Sequence, residues 1–292
     1  MKNIVFGSRD QILDWFFRVP ERPVLNEGEC EKSSIKQIPR EIANNVLALK
    51  QSAIIDDGGV NYSELREREV YQQFRDWTCV CLQDFNLSVL QTQEEKLAFW
   101  INLYNLLTID AELQYSVKKS VTEGWFGVIS FFRRAAYLVG GYRFSLEDIQ
   151  HGILRANRGV PFFPGKQFTA DDPRKAFAVE EFDARIHFAL NCAGRSDPPI
   201  AYHTPSQIND QLDLAATNFI GGETTLDKSG VVLRISKIFK WYARDFDGRM
   251  GMLAFIKKYL PENDLRRKLI ENFGKDVMIQ FAPFNWRLNV LG

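Results

Sequence analysis

Apolar residues along most of this chain recur with the spacing of helices, and short strand-like runs lie between them. Apolar positions three and four residues apart indicate a helix, whereas alternating apolar and polar positions indicate a strand. The pattern predicts helices near residues 8–17, 39–49, 63–81, 92–113, 125–136, 145–157, 204–220, 236–246, 250–259 and 262–273. It predicts short strands near residues 137–139, 142–144, 224–227, 231–235 and 277–281. We therefore predict a predominantly helical α+β fold with short antiparallel hairpins.

The chain is predicted to have an N-terminal extension, residues 1–30, and a single domain, residues 31–292. Within the extension, residues 8–17 form a short amphipathic pattern whose apolar side carries Ile12, Leu13, Phe16 and Phe17. Large apolar side chains in such a short helix seldom face water. We expect this helix to dock on the main body or on a partner.

Several turn and capping signals fix the predicted elements. Residues 92–95 (Thr-Gln-Glu-Glu) and 145–148 (Ser-Leu-Glu-Asp) resemble capping boxes, in which the first and last side chains bond to each other's backbone N–H. Gly140 and Gly141 suit the tight turn of a hairpin. Residues 56–59 (Asp-Asp-Gly-Gly) predict a second, smaller hairpin.

The composition argues against a nucleic-acid-binding protein and against a membrane protein. With 292 residues and 45% hydrophobic residues, the chain can bury a core without a disulfide or a metal. Lys+Arg and Asp+Glu balance at 37 each, which argues against general nucleic-acid binding. No apolar run reaches the roughly 20 residues of a membrane helix, and the N-terminus lacks the continuous apolar run of a secretory signal. We expect no nucleic-acid partner and no membrane.

The cysteines predict a reducing environment. Cys30, Cys79, Cys81 and Cys192 form no recognisable disulfide framework, so we expect free thiols and a cytoplasmic location. Cys79 and Cys81 form a C-x-C pair, but no second Cys or His pair at zinc spacing accompanies it. We expect both to be buried or half-buried residues, and we expect no metal or cofactor.

The most apolar predicted helix, residues 92–113, carries two amides on one face, Asn102 and Asn105. A buried amide without a hydrogen-bond partner costs roughly 1–3 kcal/mol, so both must find partners. One interpretation is a structural network that joins this helix to a loop. The other is that one amide orients a catalytic group or stabilises an oxyanion.

Residues 183–199 (DARIHFALNCAGRSDPP) concentrate ionisable groups in an apolar segment. As a helix it would place Asp183, His187 and Asn191 on one face, and as a strand it would place His187 and Asn191 opposite Cys192. Periodicity does not separate the two. In both, His187 and Cys192 lie on different faces, so they are not expected to form a nucleophile–base pair unless the chain turns at Asn191.

Cys192 is the candidate nucleophile, and its base would come from elsewhere in the chain, from His151 or His203. A free thiol needs a cationic neighbour or a helix N-terminus to become reactive, and cysteine is more often a small buried hydrophobe. His187 has a structural interpretation too, as a core histidine held by Asp183 or a backbone carbonyl. Glu147 lies one helical turn before His151, which suits either a carboxylate–imidazole pair or an ordinary surface pair.

Several of these segments together resemble the domain of unknown function 547 family, which is found in bacteria, plants and other eukaryotes. The resemblance spans about residue 35 to the end. The residues that carry it are 98–105 (AFWINLYN), Ser145-Leu146 with Asp148-Ile149, 151–155 (HGILR), 185–192 (RIHFALNC), Pro198-Pro199, and the closing Trp286 with Leu288-Asn289.

The family is named for having no assigned activity. Its recurrent Asn, His and Cys positions imply a cysteine-dependent hydrolase or transferase, loosely and distantly papain-like. Related proteins join this domain to redox, signalling or coiled-coil modules, which implies an interaction role equally well. Three positions depart from many relatives: Asp197 stands where they carry a second cysteine, Gln150 where they carry Glu, and Asn285 where they carry Asp. Asp197 weighs most against a thiol mechanism.

The sequence therefore predicts a soluble α+β protein whose polar cleft is lined by Asn102, Asn105, His151, His187 and Cys192. In an enzyme, Cys192 would attack an acyl or amide carbonyl, His151 or His187 would act as base, and an Asn amide would orient the base or stabilise the oxyanion. The alternative is a non-catalytic interaction or scaffolding domain, with the same residues as a structural network and a protein or small molecule as partner. A third, weaker option is metal binding through the histidines and Asp171-Asp172.

Overall fold

The computed structural model of the chain describes residues 8–17, 19, 23–30, 37–53, 61–123 and 127–289. The small hairpin predicted at Asp56-Asp57-Gly58-Gly59 lies outside these residues, as does the start of the helix predicted from Trp125. Among the described residues, no helix combines the length and the apolar character that crossing a bilayer requires.

The helices are numbered in chain order. They are α1 (Ser8–Phe16), α2 (Ile38–Ala53), α3 (Tyr62–Glu67), α4 (Glu69–Gln73), α5 (Gln93–Gln114), α6 (Gly127–Arg134), α7 (Ile208–Glu223), α8 (Ile238–Trp241), α9 (Gly248–Tyr259) and α10 (Leu265–Phe273). Two π-helices cover Phe74–Cys79 and Asp148–Leu154. Short 3-10 helices cover Leu82–Asp84, Leu87–Val89, Pro173–Phe177, Ala184–Phe188, Pro205–Gln207, Ala243–Phe246 and Gly274–Asp276.

The strands are few and short. They are β1 (Ala136–Val139), β2 (Tyr142–Ser145), β3 (Thr225–Leu226), β4 (Val232–Ile235) and β5 (Met278–Phe281). Strands β1 and β2 form an antiparallel hairpin, and β3 pairs with β4 in the same sense. Strand β5 pairs with β4 in parallel, which differs from the purely antiparallel strands that we predict. The predominantly helical α+β class is confirmed, whereas the distant likeness to papain stays a prediction.

Local signals in the sequence produce the expected ends of these elements. The capping box at the start of α5 is present, with Glu95 accepting from the N–H of Thr92 at 3.0 Å and Thr92 Oγ1 accepting from the N–H of Glu95 at 3.2 Å. Gly140 and Gly141 adopt φ values of 58° and 79° in the β1–β2 turn, a region that favours glycine.

Two compact units make up the chain. Unit 1 comprises Met1–Asp183, Leu190–Ile208 and Trp286–Gly292, and unit 2 comprises Ala184–Ala189 and Asn209–Asn285. The predicted division into residues 1–30 and 31–292 stays a prediction.

Helix α5 is the centre of unit 1. Every residue from Leu97 to Leu113 is buried, so the helix has no solvent face. A helix that is buried all round must be covered on each side by other elements. Helix α2, strand β1 and the π-helix Asp148–Leu154 pack on it, and Trp100 contacts the ring of Phe144 at 4.8 Å between centroids.

The predicted N-terminal helix α1 packs against the rest of unit 1 through a polar contact. Asp14 is buried and accepts a hydrogen bond from Arg133 Nε at 2.8 Å, and Phe17 is buried beside it. Ile12 and Trp15 remain 64% and 77% exposed. The helix therefore packs inward with its carboxylate and presents part of its apolar side outward.

The prediction of free thiols at Cys30 and Cys81 is wrong. These two residues form a disulfide, with their Cα atoms 4.9 Å apart, whereas Cys79 and Cys192 are free. Folding brings together two cysteines that are 51 positions apart, a proximity that spacing alone does not reveal. Free thiols therefore no longer support a cytoplasmic location, which stays a prediction.

Unit 2 has an aromatic core. Phe188 is buried within 5.0 Å of Phe219 and 5.6 Å of Phe239, measured between ring centroids. Strand β4 contributes Leu233 and Ile235 to the same core, and α9 contributes Leu253 and Ile256. This core holds the 3-10 helix Ala184–Phe188 in place.

Candidate functional site

The two amides of α5 hold one backbone position within residues 183–199 and one position that follows them. Asn102 Nδ2 donates to the carbonyl of His203 at 2.7 Å, and the N–H of His203 donates back to Asn102 Oδ1 at 2.9 Å. Asn105 Oδ1 accepts from the N–H of Asn191 at 2.9 Å. All four residues are buried, so these bonds replace the hydrogen bonds to water that the buried backbone groups have lost.

The segment from Asn191 to Pro198 forms a tight loop next to α5. Asn191 Nδ2 donates to the carbonyl of Pro198 at 2.7 Å, and Asn191 Oδ1 accepts from the N–H of Ala193 at 2.7 Å. Ala193 has a φ of 69°, a left-handed conformation that is uncommon for residues other than glycine. The turn follows Cys192 directly, and the loop brings residue 197 back toward it.

Cys192 is half-buried at the start of this loop. Its Sγ atom lies 3.4 Å from the hydroxyl of Tyr104, which also lies 3.5 Å from Gln150 Oε1. The carboxyl of Asp197 lies beside the thiol and accepts a hydrogen bond from the N–H of Gly194 at 2.6 Å. Tyr104 and Asp197 are thus the polar groups that border the thiol.

Burial raises the pKa of the Cys192 thiol well above its usual value, and the negative charges of Asp197 and Glu112 raise it further. Burial also raises the pKa of Asp197 to about 7, against the opposing effect of the Gly194 hydrogen bond. At neutral pH the thiol therefore keeps its proton, while Asp197 is close to half-ionised.

Glu112 is a second carboxyl in this region of unit 1, and it lies on α5. It is 2% exposed, and neither of its oxygens makes a hydrogen bond of normal geometry among the described residues. Burial raises its pKa well above the usual value, and the charge of Asp197 adds to the rise. The nearby hydroxyl of Tyr62 opposes this rise in the pKa of Glu112. Because a buried carboxylate is costly, these surroundings favour the protonated form of Glu112.

The three histidines have different surroundings. His187 belongs to unit 2, where its Nε2 atom lies 2.9 Å from Asp245 Oδ2 and its ring stacks on Tyr242 at 4.0 Å between centroids. His151 lies in the π-helix Asp148–Leu154, and its Nδ1 atom is 2.9 Å from Arg155 Nη1. His203 is buried beside α5, and burial lowers its pKa to about 4.

The structure brings together part of the predicted set. Asn102 and Asn105 share α5 with Tyr104, and Tyr104 contacts Cys192. His187 pairs with Asp245, and Glu147 forms an ion pair with Arg133. The described residues contain no group of three His, Cys, Asp or Glu side chains that could hold a metal ion, and Asp172 pairs with Arg174 at 2.7 Å.

Sequence reasoning missed Glu112, Tyr104 and the position of Asp197. The first two are buried polar positions within an apolar helix, the same signal that drew attention to Asn102 and Asn105. Asp197 was noted only as a departure from relatives, because its approach to Cys192 depends on the turn at Ala193.

Comparison with known proteins gives a single result. No curated protein and no solved structure matches this chain. A family model described as "Protein of unknown function, DUF547" matches residues 87–220, a range that includes α5, the π-helix at His151 and the Cys192 loop. Over these residues, which make up less than half of the chain, the sequence is similar to the DUF547 family of proteins of unknown function.

Proposed function

We propose that the chain is a thiol-dependent hydrolase or acyl transferase whose reactive pair is Cys192 and Asp197. The observation that carries the proposal is a half-buried thiol beside a carboxyl whose pKa is raised to about 7. A general base works best when its pKa lies near the operating pH, because it is then both ionised and basic enough to take a proton. Asp197 therefore takes the role that the sequence assigned to a histidine.

The chemistry follows from this pair. The carboxylate of Asp197 would take the proton of the Cys192 thiol as Sγ forms a bond to the carbonyl carbon of an ester, thioester or amide. The resulting Asp197 carboxylic acid would return the proton to the leaving group when the carbon–heteroatom bond breaks. Water or another nucleophile would then release the acyl group from Sγ by the reverse sequence, with Asp197 again as base.

Tyr104 supports the same step. Its hydroxyl lies within hydrogen-bond distance of Cys192 Sγ, where it orients the thiol and solvates the sulfur as charge develops. Asn102 and Asn105 act as positioning residues, since they hold the backbone of the segments on either side of this loop.

The test is acylation of Cys192 by p-nitrophenyl acetate, followed by mass spectrometry of intact and digested protein from about pH 5 to 9. The expected result is a rate that rises with a midpoint near the Asp197 pKa of about 7. Asp197→Asn should remove this midpoint, whereas Asp171→Asn, at an exposed carboxylate, should keep it. Cys192→Ser should give no thioester at this position.

Two results would overturn the proposal. One is acylation of Cys192 that rises only at high pH, with the same profile in Asp197→Asn, which would describe an ordinary buried thiol. The other is no acylation of Cys192 at any pH in a protein that is folded by circular dichroism.

A second candidate is a non-catalytic interaction or scaffolding domain. The observation that favours it is that Asn102 and Asn105 in unit 1, and His187 in unit 2, each have a buried hydrogen-bonded partner. Buried hydrogen bonds of this kind fix one conformation without any chemistry. If Cys192 is not acylated in the experiment above, the interaction domain is the function that remains. Substitution of Cys192 by Ser should then change neither the stability of the protein nor its binding of a partner.

A further inference from the structure

A cavity of about 490 Å³ opens in unit 1 between α2 and the N-terminal half of α5. Its apolar wall includes Ala43, Leu47, Leu90, Ala98 and Phe99. Small-molecule sites in proteins typically have volumes of roughly 300–1,000 Å³ and mostly apolar linings with few polar groups. The cavity therefore has the size and the surface of a small-molecule site, and Cys192 is not part of its lining.

Charge at the cavity favours an anion. Arg40 belongs to the lining, is exposed, and has no ion-pair partner among the described residues. Glu95 also belongs to the lining, but it accepts hydrogen bonds from the N–H groups of Gln91 at 2.8 Å and Thr92 at 3.0 Å. These bonds lower the pKa of Glu95 and hold its charge at the N-terminus of α5. The carboxylate of Glu95 thus has hydrogen-bond donors of its own, whereas no described residue pairs with the guanidinium of Arg40.

His203 adds an unused polar group. The residue lines the cavity and is 1% exposed, and its Nδ1 atom has no hydrogen-bond partner within the part of the chain that the structure describes. A buried polar atom without a partner is uncommon in native proteins and calls for an explanation. Because His203 lines the cavity, a molecule bound there would change the surroundings of this imidazole.

We propose that this cavity binds a small monocarboxylate with an apolar body. Its carboxylate faces the guanidinium of Arg40, and its apolar body packs against Leu90, Ala98 and Phe99. A carboxylate–guanidinium pair gives directed hydrogen bonds, and the apolar wall excludes water from the rest of the molecule. The proposal is independent of chemistry at Cys192, because it uses none of the residues that border the thiol.

The test is isothermal titration calorimetry of the full chain with decanoate, and with decan-1-ol as the uncharged analogue. We expect saturable binding of decanoate at one site and at least tenfold weaker binding of decan-1-ol. Arg40→Gln should weaken decanoate about tenfold and leave decan-1-ol unchanged. The matched control is Lys118→Gln, an exposed cation outside the cavity lining, which should bind decanoate as the wild type does.

Ala43→Trp would place a large side chain in the cavity and should abolish binding of both compounds. Because that variant alters packing, a second measurement uses the wild-type protein: decanoate should shift the imidazole nitrogen resonances of His203 and leave those of His187 unchanged. No saturable binding of decanoate would overturn the proposal. Equal losses in Arg40→Gln and Lys118→Gln would also overturn it, as would His203 resonances that do not move.

Discussion

Asp197→Asn should make the protein more stable at neutral and alkaline pH, although it removes a hydrogen-bonding carboxylate. The pKa of Asp197 is raised from 3.8 to about 7 in the folded chain. The folded state therefore binds this proton more tightly than the unfolded state does. Between those two values the unfolded carboxyl is ionised while the folded one is protonated, so the free energy of unfolding falls as pH rises.

The size of the effect follows from the difference in pKa. A rise of about 3 pKa units, at 1.36 kcal/mol each, gives about 4 kcal/mol as an upper bound. Asp197 is half-buried, and solvent reduces such an effect, so we expect about 2 kcal/mol. Asparagine is uncharged and can still accept the hydrogen bond from Gly194. The difference in stability between variant and wild type should thus be near zero at about pH 4 and complete above about pH 7.

The assay is urea denaturation of both proteins at several pH values from about 4 to 8, followed by circular dichroism. Asp171→Asn, at an exposed carboxylate, is the control and should follow the wild type throughout. Glu112 also has a raised pKa, so some pH dependence should persist in Asp197→Asn. A variant that is less stable than wild type above pH 7, or a pH-independent difference between them, would refute the reasoning.

Three further predictions concern stability. Asn102→Ala should destabilise the protein by about 2–4 kcal/mol in chemical denaturation, because it leaves a buried backbone N–H and carbonyl unpaired; a loss below about 0.5 kcal/mol would contradict this. Asp245→Ala should cost about 3–5 kcal/mol because it breaks the buried pair with His187, and a thermal midpoint equal to that of wild type would contradict it. Denatured, unreduced protein should show two free thiols by Ellman titration, and four free thiols would contradict the disulfide. Reduction of Cys30–Cys81, which closes a loop of 51 residues, should lower the free energy of unfolding by about 4 kcal/mol.

Much of the local structure was predictable because its causes lie within a few residues. Thr92 and Glu95 cap α5 through bonds three residues apart, and Gly140-Gly141 turns the β1–β2 hairpin through its own backbone freedom. Helices α8, α9 and α10 also lie where the apolar spacing predicts them. The structure of residues 183–199 could not be predicted because residues 184–188 form a 3-10 helix. The period of a 3-10 helix matches neither the α-helix nor the strand.

The candidate site was less predictable because it depends on long-range contacts. His187 pairs with Asp245, which lies 58 positions away in the sequence. Asn102 bonds to His203, which lies 101 positions away. The cost of burying polar side chains predicts that these residues need hydrogen-bond partners. Which residues are the partners depends on the fold. Asp197 is the clearest example of a position that the sequence alone does not give: as a departure from relatives it weighs against a thiol mechanism, but in the fold it lies beside the thiol.

The burial of α5 on all sides bears on how this domain can be excised and expressed. The family match begins at residue 87, but Asp110 within it is buried and bonded to Tyr71 at 2.6 Å and to Arg75 at 2.8 Å, both of which precede the match. A fragment trimmed to residues 87–220 would uncover one side of α5 and leave that carboxylate without two of its donors. Recombinant work on relatives should therefore keep the segment that corresponds to residues 61–86, since a fragment without it would be prone to aggregation.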